Sequence, residues 1–138
     1  ELLASELEKH LTMFYGVIDT ETLMLKYSVG GHFPMPVLLQ NGSAEYLTGR
    51  GMPVGMFREA EYQNYDLQLP EPFSLLLFSD GILEIMAEPT LNDKEALLLK
   101  VAANSRGDVQ QICAELGIDD LPEVPDDIAM VALGRGVL

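Results

Sequence analysis

One short segment near the end constrains the fold more than any other. Residues 128–133, IAMVAL, form a continuous apolar run placed after a stretch of helical character and directly behind two acidic residues. Six apolar residues bounded by turn signals read as a buried strand rather than a helix. Every other segment with strand character lies in the first 78 residues. The last strand must therefore return to a sheet laid down before the helices. That order excludes a regular βαβ repeat and gives the α+β class, a layered β-sandwich flanked by helices.

The earlier segments fill in this plan. Leu3, Leu7 and Leu11 repeat at helical spacing, which predicts the end of a helix over residues 1–10. Residues 11–18, LTMFYGVI, are apolar almost throughout and predict a strand buried on both faces. A turn at residues 19–22 leads to a strand in which Leu23, Leu25, Tyr27 and Val29 share one face and Met24, Lys26 and Ser28 the other, so the two strands form a hairpin. Residues 30–36, GGHFPMP, make a rigid irregular link. Asn41-Gly42 is a strong two-residue hairpin signal between strands at 37–39 and 43–47. Gly49, Gly51, Pro53 and Gly55 mark a loop, and strands follow at 65–69 and 74–78. Asn92 with Glu95, and Asp108 with Gln111, are each spaced as a capping box opening a helix, the second ending at Gly117. The expected order is one helix, six strands, two or three helices, one strand.

Composition removes whole classes of function. The 138 residues hold 22 Asp and Glu against 8 Lys and Arg, a formal net charge of −14. Such a surface repels nucleic acid and anionic membranes, and it favours divalent cations or proteins with basic patches. No apolar run reaches the length of a membrane span. A single cysteine, Cys113, cannot form an internal disulfide and fits a reducing, cytoplasmic setting, where its place in a helix suits a small core residue. The opening Glu1-Leu2-Leu3 is no signal peptide and lacks an initiator Met. The expectation is a piece of a longer polypeptide, with residues 1–138 the C-terminal portion of one domain.

Chemistry concentrates at two places. Asp80 ends the most hydrophobic strand and is followed by Gly81; Asp126-Asp127 precedes the final strand. A carboxylate at the tip of a buried strand is costly unless it is hydrogen-bonded or holds a cation. If the two strands are neighbours their carboxylates converge, and an all-oxygen donor set suits Mg²⁺ or Mn²⁺. Asp80, Gly81, Asp126 and Asp127 are thus the candidate metal-site residues, with Asp80 and Asp126 the catalytic candidates. The same residues also suit an ordinary Asp-Gly turn and a solvated Asp-Asp loop. His10 and His32 are isolated, and Ser79 has no base placed to activate it.

Four blocks in fixed order, residues 14–39 (FYGVIDTETLMLKYSVGGHFPMPVLL), 51–57 (GMPVGMF), 74–84 (SLLLFSDGILE) and 126–133 (DDIAMVAL), resemble the SpoIIE-like or RsbU-like branch of the metal-dependent (PPM) protein phosphatases. The chain looks closest to the phosphatase-like output domains of RssB-type response regulators. The resemblance implies a β-sandwich flanked by helices with a two-metal site at one end of the strands. It places Asp80 and Gly81 in the family's Asp-Gly block, Asp126 and Asp127 in its final Asp-Asp/Asn block, and Pro53-Val54-Gly55 in a structural turn. Gly30 to Pro34 match an Asn-Ala-Gly-His block, with Ser28 where Asn is usual. The family's first metal aspartates, in Gly-Asp-x-Tyr/Phe-Asp and Asp-Val-x-Gly-His-Gly segments, are absent here: if the parent polypeptide has them they precede Glu1, and if it lacks them the domain is degenerate. The implied activity is hydrolysis of phosphoserine or phosphothreonine on a regulatory protein such as an anti-sigma-factor antagonist. The implied context is a receiver domain upstream in a two-component response regulator, with a homodimer admitted. The other function the resemblance implies is a non-catalytic adaptor that binds a sigma factor or its regulator.

Overall fold

A computed structural model describes residues 9–123 and 126–138. Strands β1 (Met13–Ile18), β2 (Met24–Gly30), β3 (Val37–Gln40), β4 (Ser43–Tyr46), β5 (Tyr65–Gln68) and β6 (Phe73–Phe78) come first, then helices α1 (Gly81–Glu84), α2 (Leu91–Ser105) and α3 (Val109–Leu116), a short 3-10 turn (Ile118–Asp120), and strand β7 (Met130–Arg135). The strands form two antiparallel sheets, β1-β2-β5 and β4-β3-β6-β7. The α+β class and the late return of β7 into an existing sheet agree with the expectation from sequence. The helix expected over residues 1–10 falls almost wholly outside the described residues, as does Pro125. Lys9 and His10 carry no regular structure.

The chain divides into two compact units, Glu1–Phe33 with Thr48–Leu69 and Pro34–Leu47 with Pro70–Leu138. In the first, β1 and β2 pair from Met13↔Gly30 to Ile18↔Leu25, and β2 pairs with β5. Leu23, Leu25, Tyr27 and Val29 are all buried, as their alternation requires. Phe14, Tyr27 and Tyr65 stack across the three strands, with centroids 5.3 and 5.2 Å apart. The turn into β2 is made by Asp19, whose carboxylate accepts the backbone N–H groups of Glu21 (2.8 Å) and Thr22 (3.1 Å). Those bonds to the charged form, Thr22 first, hold the Asp19 carboxyl below its usual range.

One expectation fails here. Residues 11–18 were expected to be buried on both faces, but β1 is the edge of its sheet, and Tyr15 is 62% exposed with Met13 and Val17 beside it on the same face. An apolar run does not distinguish a central strand from an edge strand with one face uncovered.

In the second unit the Asn41-Gly42 turn closes the β3–β4 hairpin, with Gln40 opposite Ser43 and Gly42 at a φ of +79°. The core lies between one face of this sheet and the helices. Val37, Leu39, Leu76 and Phe78 pack with Ile82, Leu98, Val101 and Ile112. Tyr46 ties β4 to α2 by donating its hydroxyl to the Glu95 carbonyl at 2.6 Å; burial, and then the Glu95 carboxylate, push that phenol above its usual range. The final strand is displaced from the expected 128–133. It runs Met130–Arg135, and at this sheet edge the row from Leu38 through Leu75 ends on Leu133, 48% exposed.

The helix starts divide in outcome. Asp108 caps α3, accepting from the N–H groups of Gln110 (2.9 Å) and Gln111, and Gly117 closes it in the left-handed conformation. The Asn92 cap does not form. Helix α2 begins two residues earlier, on Leu91, with the Thr90 hydroxyl accepting from Asp93 N–H at 3.1 Å. Thr90 follows Pro89 in extended backbone, where an N-cap belongs. Asp108→Ala is expected to cost about 1 kcal/mol of stability, measured as a lower urea midpoint at unchanged m-value; an unchanged midpoint would show the cap to be idle. Cys113 is half-buried rather than fully buried, and burial together with the nearby Asp119 carboxylate pushes its thiol up.

Candidate metal centre

Strands β6 and β7 are neighbours, paired from Phe73↔Arg135 to Phe78↔Met130. Their ends therefore bring the Asp80 and Asp126-Asp127 segments side by side, as the sequence suggested. The join is made by backbone and by one hydroxyl. Ser79 N–H donates to the Ala129 carbonyl at 2.9 Å, extending the ladder beyond β6. The Ser79 hydroxyl donates to the Asp127 carbonyl at 3.1 Å and accepts from Ala129 N–H at 2.8 Å. Ser79 is thus the clamp that holds the acidic turn against the end of β6. Sequence reasoning noticed Ser79 only to dismiss it as a nucleophile. A small hydroxyl just past the end of a buried strand was the available signal.

Gly81 completes the join. A Cβ on this residue would stand 2.1 Å from the Asp127 carbonyl oxygen and 3.4 Å from that of Asp126. The glycine is buried and opens α1, so its value is the space it leaves rather than an unusual φ.

The carboxylates stand apart from this scaffold. Asp80, Asp126 and Asp127 are all exposed. Asp80 occupies the N-cap position of α1, yet its side chain makes no capping hydrogen bond. One oxygen of Asp126 accepts Asp127 N–H at 2.8 Å, which turns the Asp126 side chain back over its own loop. Exposure corrects one premise from sequence. Desolvation does not force these carboxylates to find a cation, because water already reaches them. The case for a metal rests on the juxtaposition of acids and on their chemistry.

All the donors are oxygen, the set that hard divalent cations take. Among the described residues no group of three or more His, Cys, Asp or Glu side chains gathers as a metal site would. The acids fit such an ion as part of a shell that needs further ligands.

The other sequence blocks meet in the first unit. Gly31, at a φ of +66°, donates its N–H to the Gly51 carbonyl at 2.7 Å, and a Cβ there would lie 2.7–2.9 Å from Pro53. The Gly30-Gly31 and Pro53-Val54-Gly55 blocks are therefore two halves of one packed turn. Their separation by more than twenty residues hides this from the sequence. No helix among the described residues is long and apolar enough to cross a membrane.

Comparison with known proteins gives concordant results. The family model described as stage II sporulation protein E (SpoIIE) matches residues 1–136. The phosphoserine phosphatase RsbU of Bacillus subtilis is 24% identical over 133 residues, a match covering 92% of this chain and 39% of that protein. The solved RsbU and RsbW domains of a Mycobacterium tuberculosis protein share this fold at a TM-score of 0.76 and 24% identity, covering 94% of this chain and 37% of that one. The phosphatase domain of B. subtilis SpoIIE, solved after presoaking with manganese, matches at a TM-score of 0.65 and 20% identity, covering 91% and 56%. The chain thus spans well under half the length of the RsbU relative.

Proposed function

The chain belongs to the SpoIIE family, and from that membership we propose that it is the C-terminal part of a metal-dependent serine/threonine phosphatase domain within a longer polypeptide. The observation that carries the proposal is the meeting of Asp80 with Asp126-Asp127 at the ends of paired strands, fixed by Ser79 and by the missing side chain of Gly81. Asp80 and Asp126 would hold Mn²⁺ or Mg²⁺, with Gly81 and Asp127 shaping the site between them and the remaining ligands supplied from outside this chain. Such ions supply a water of lowered pKa and neutralise charge on phosphoryl oxygens. The residues of this chain orient that chemistry. Ser79 fixes the acidic turn, and exposure of the carboxylates leaves room for a phosphorylated side chain to approach.

The substrate of this reading is phosphoserine or phosphothreonine on a regulatory protein, such as an anti-sigma-factor antagonist, met in the cytoplasm. The naming of the RsbU relative as a phosphoserine phosphatase, and the joining of RsbU and RsbW domains in the M. tuberculosis structure, support it. A net charge of −14 favours a partner with a basic surface. An upstream receiver domain would supply the regulatory input. A second reading is favoured by the lack of any three-ligand cluster among the described residues: the same fold serves as a non-catalytic adaptor for a sigma factor or its regulator.

Phosphate release from a phosphoserine protein by the whole polypeptide separates the two. The phosphatase reading expects release with excess manganese and none with EDTA. Absence of release in manganese, together with partner binding that EDTA leaves intact, would overturn it in favour of the adaptor.

A further inference from the structure

One cavity of the second unit lies away from the acidic turn. It is a groove of about 710 Å³ between the β3–β4 hairpin and the outer face of α2. Leu39 pairs with Ser74 at the start of β6, whereas Asp80 follows the far end of that strand. The groove and the carboxylates therefore occupy opposite ends of one sheet.

Its chemistry is unlike that of the molecule around it. The chain has 22 acidic residues against 8 basic ones, yet the charged side chains lining the groove are Lys100 and Arg106, with no carboxylate side chain among them; Leu138, the last residue, also lines it. The remaining wall is mixed, with Gln40, Asn41 and Ser43 of the hairpin turn at one end and an apolar strip beside them. Leu39 and Ala44 come from the hairpin, and Ala96, Leu99 and Ala103 from α2, spaced so that they share one helix face. The short side chains of Ala96 and Ala103 leave the space open, and Leu98, Val101 and Ala102 on the other face of α2 are buried in the core. Because α2 ends beside the groove, its carbonyl dipole alone would disfavour an anion there; Lys100 and Arg106 reverse that sign.

We propose that this groove is a binding site for an amphipathic anion, a small ligand with an apolar body and one acidic head. The apolar body would lie between Leu39, Ala44 and the Ala96–Leu99–Ala103 face, with the head between Lys100 and Arg106. The volume falls within the range of about 300–1,000 Å³ typical of small-molecule sites. Two cationic side chains lining one groove of a strongly acidic chain offset the repulsion such a ligand meets from the net charge.

Two probes with one body and different charge test this: 8-anilinonaphthalene-1-sulfonate and its neutral counterpart N-phenyl-1-naphthylamine, followed by backbone amide chemical shifts. The sulfonate is expected to shift residues 39–44 and 96–106 saturably and to bind at least tenfold more tightly than the neutral probe. Lys100→Glu with Arg106→Gly is expected to weaken the sulfonate at least tenfold and leave the neutral probe unchanged. Both side chains are exposed, and glycine suits the φ of +54° at residue 106, so the variant keeps the fold. Shifts centred instead on the exposed apolar edges at Tyr15 or Leu133, equal affinity for the two probes, or sulfonate binding unchanged in the variant would each overturn the proposal.

Discussion

Gly81→Ala is expected to destabilise the protein by about 2–3 kcal/mol and to move the acidic turn. The new methyl carbon would fall 2.1 Å from the Asp127 carbonyl oxygen, far inside any permitted contact, and the atom in its way is backbone. A flexible side chain could rotate aside; a carbonyl held by the Ser79 hydroxyl cannot move without breaking that bond and the Ala129 N–H bond on the same oxygen of Ser79. Urea denaturation reads the stability, and amide shifts at Asp127 and Ala129 read the displacement. Gly117→Ala is the control. It has nothing within 4 Å of its Cβ position but lies at a φ of +66°, so it should cost about 1 kcal/mol from backbone conformation alone. If Gly81→Ala cost no more than Gly117→Ala, the close approach of the two strand ends would not be the constraint described above.

The contrast between these glycines shows what sequence can and cannot disclose. Gly117 was legible as a helix stop because it follows a capped helix beginning at Asp108, and both signals are local. The β2 face of Leu23, Leu25, Tyr27 and Val29 and the Asn41-Gly42 hairpin were legible for the same reason. Gly81 was noticed beside Asp80, but its partner, the carbonyl of Asp127, lies 46 residues away in the chain. The packing of Gly31 on Pro53 was hidden in the same manner. Edge position was also invisible: residues 11–18 and 128–133 are apolar enough to be central, and only the sheet order shows that β1 and β7 have no neighbour on one side. Thr90 displaced Asn92 as the cap because the helix could begin as soon as Pro89 was passed, two positions earlier than the capping-box spacing suggests. For the candidate site, the sequence supplied the acids, and the pairing of β6 with β7 met the condition for their convergence. It missed Ser79, whose hydroxyl fixes the geometry, and it overstated the burial of the carboxylates.

That exposure sharpens what substitution of the acids should do. Asp80→Asn and Asp126→Asn are each expected to lower manganese-dependent phosphate release by the whole polypeptide by about 100-fold or more, since even residues that only orient metal ligands cost about 10–100-fold. Neither change should alter metal-free stability by more than about 0.5 kcal/mol. Both side chains are exposed, Asp80 caps nothing, and an asparagine oxygen at position 126 can still accept Asp127 N–H. The two readouts then separate a metal ligand from a structural acid. Manganese at 100 times its dissociation constant stabilises a folded protein by about 2.7 kcal/mol, so the thermal midpoint of the unsubstituted polypeptide should rise with metal and that of either variant should rise far less. A variant that loses activity but keeps the full metal-induced shift would remove that residue from the metal shell. If the two acids act on one shell, the double variant should be hardly worse than the poorer single one, because the first loss already removes what the second residue contributes; losses that multiply would assign Asp80 and Asp126 separate roles.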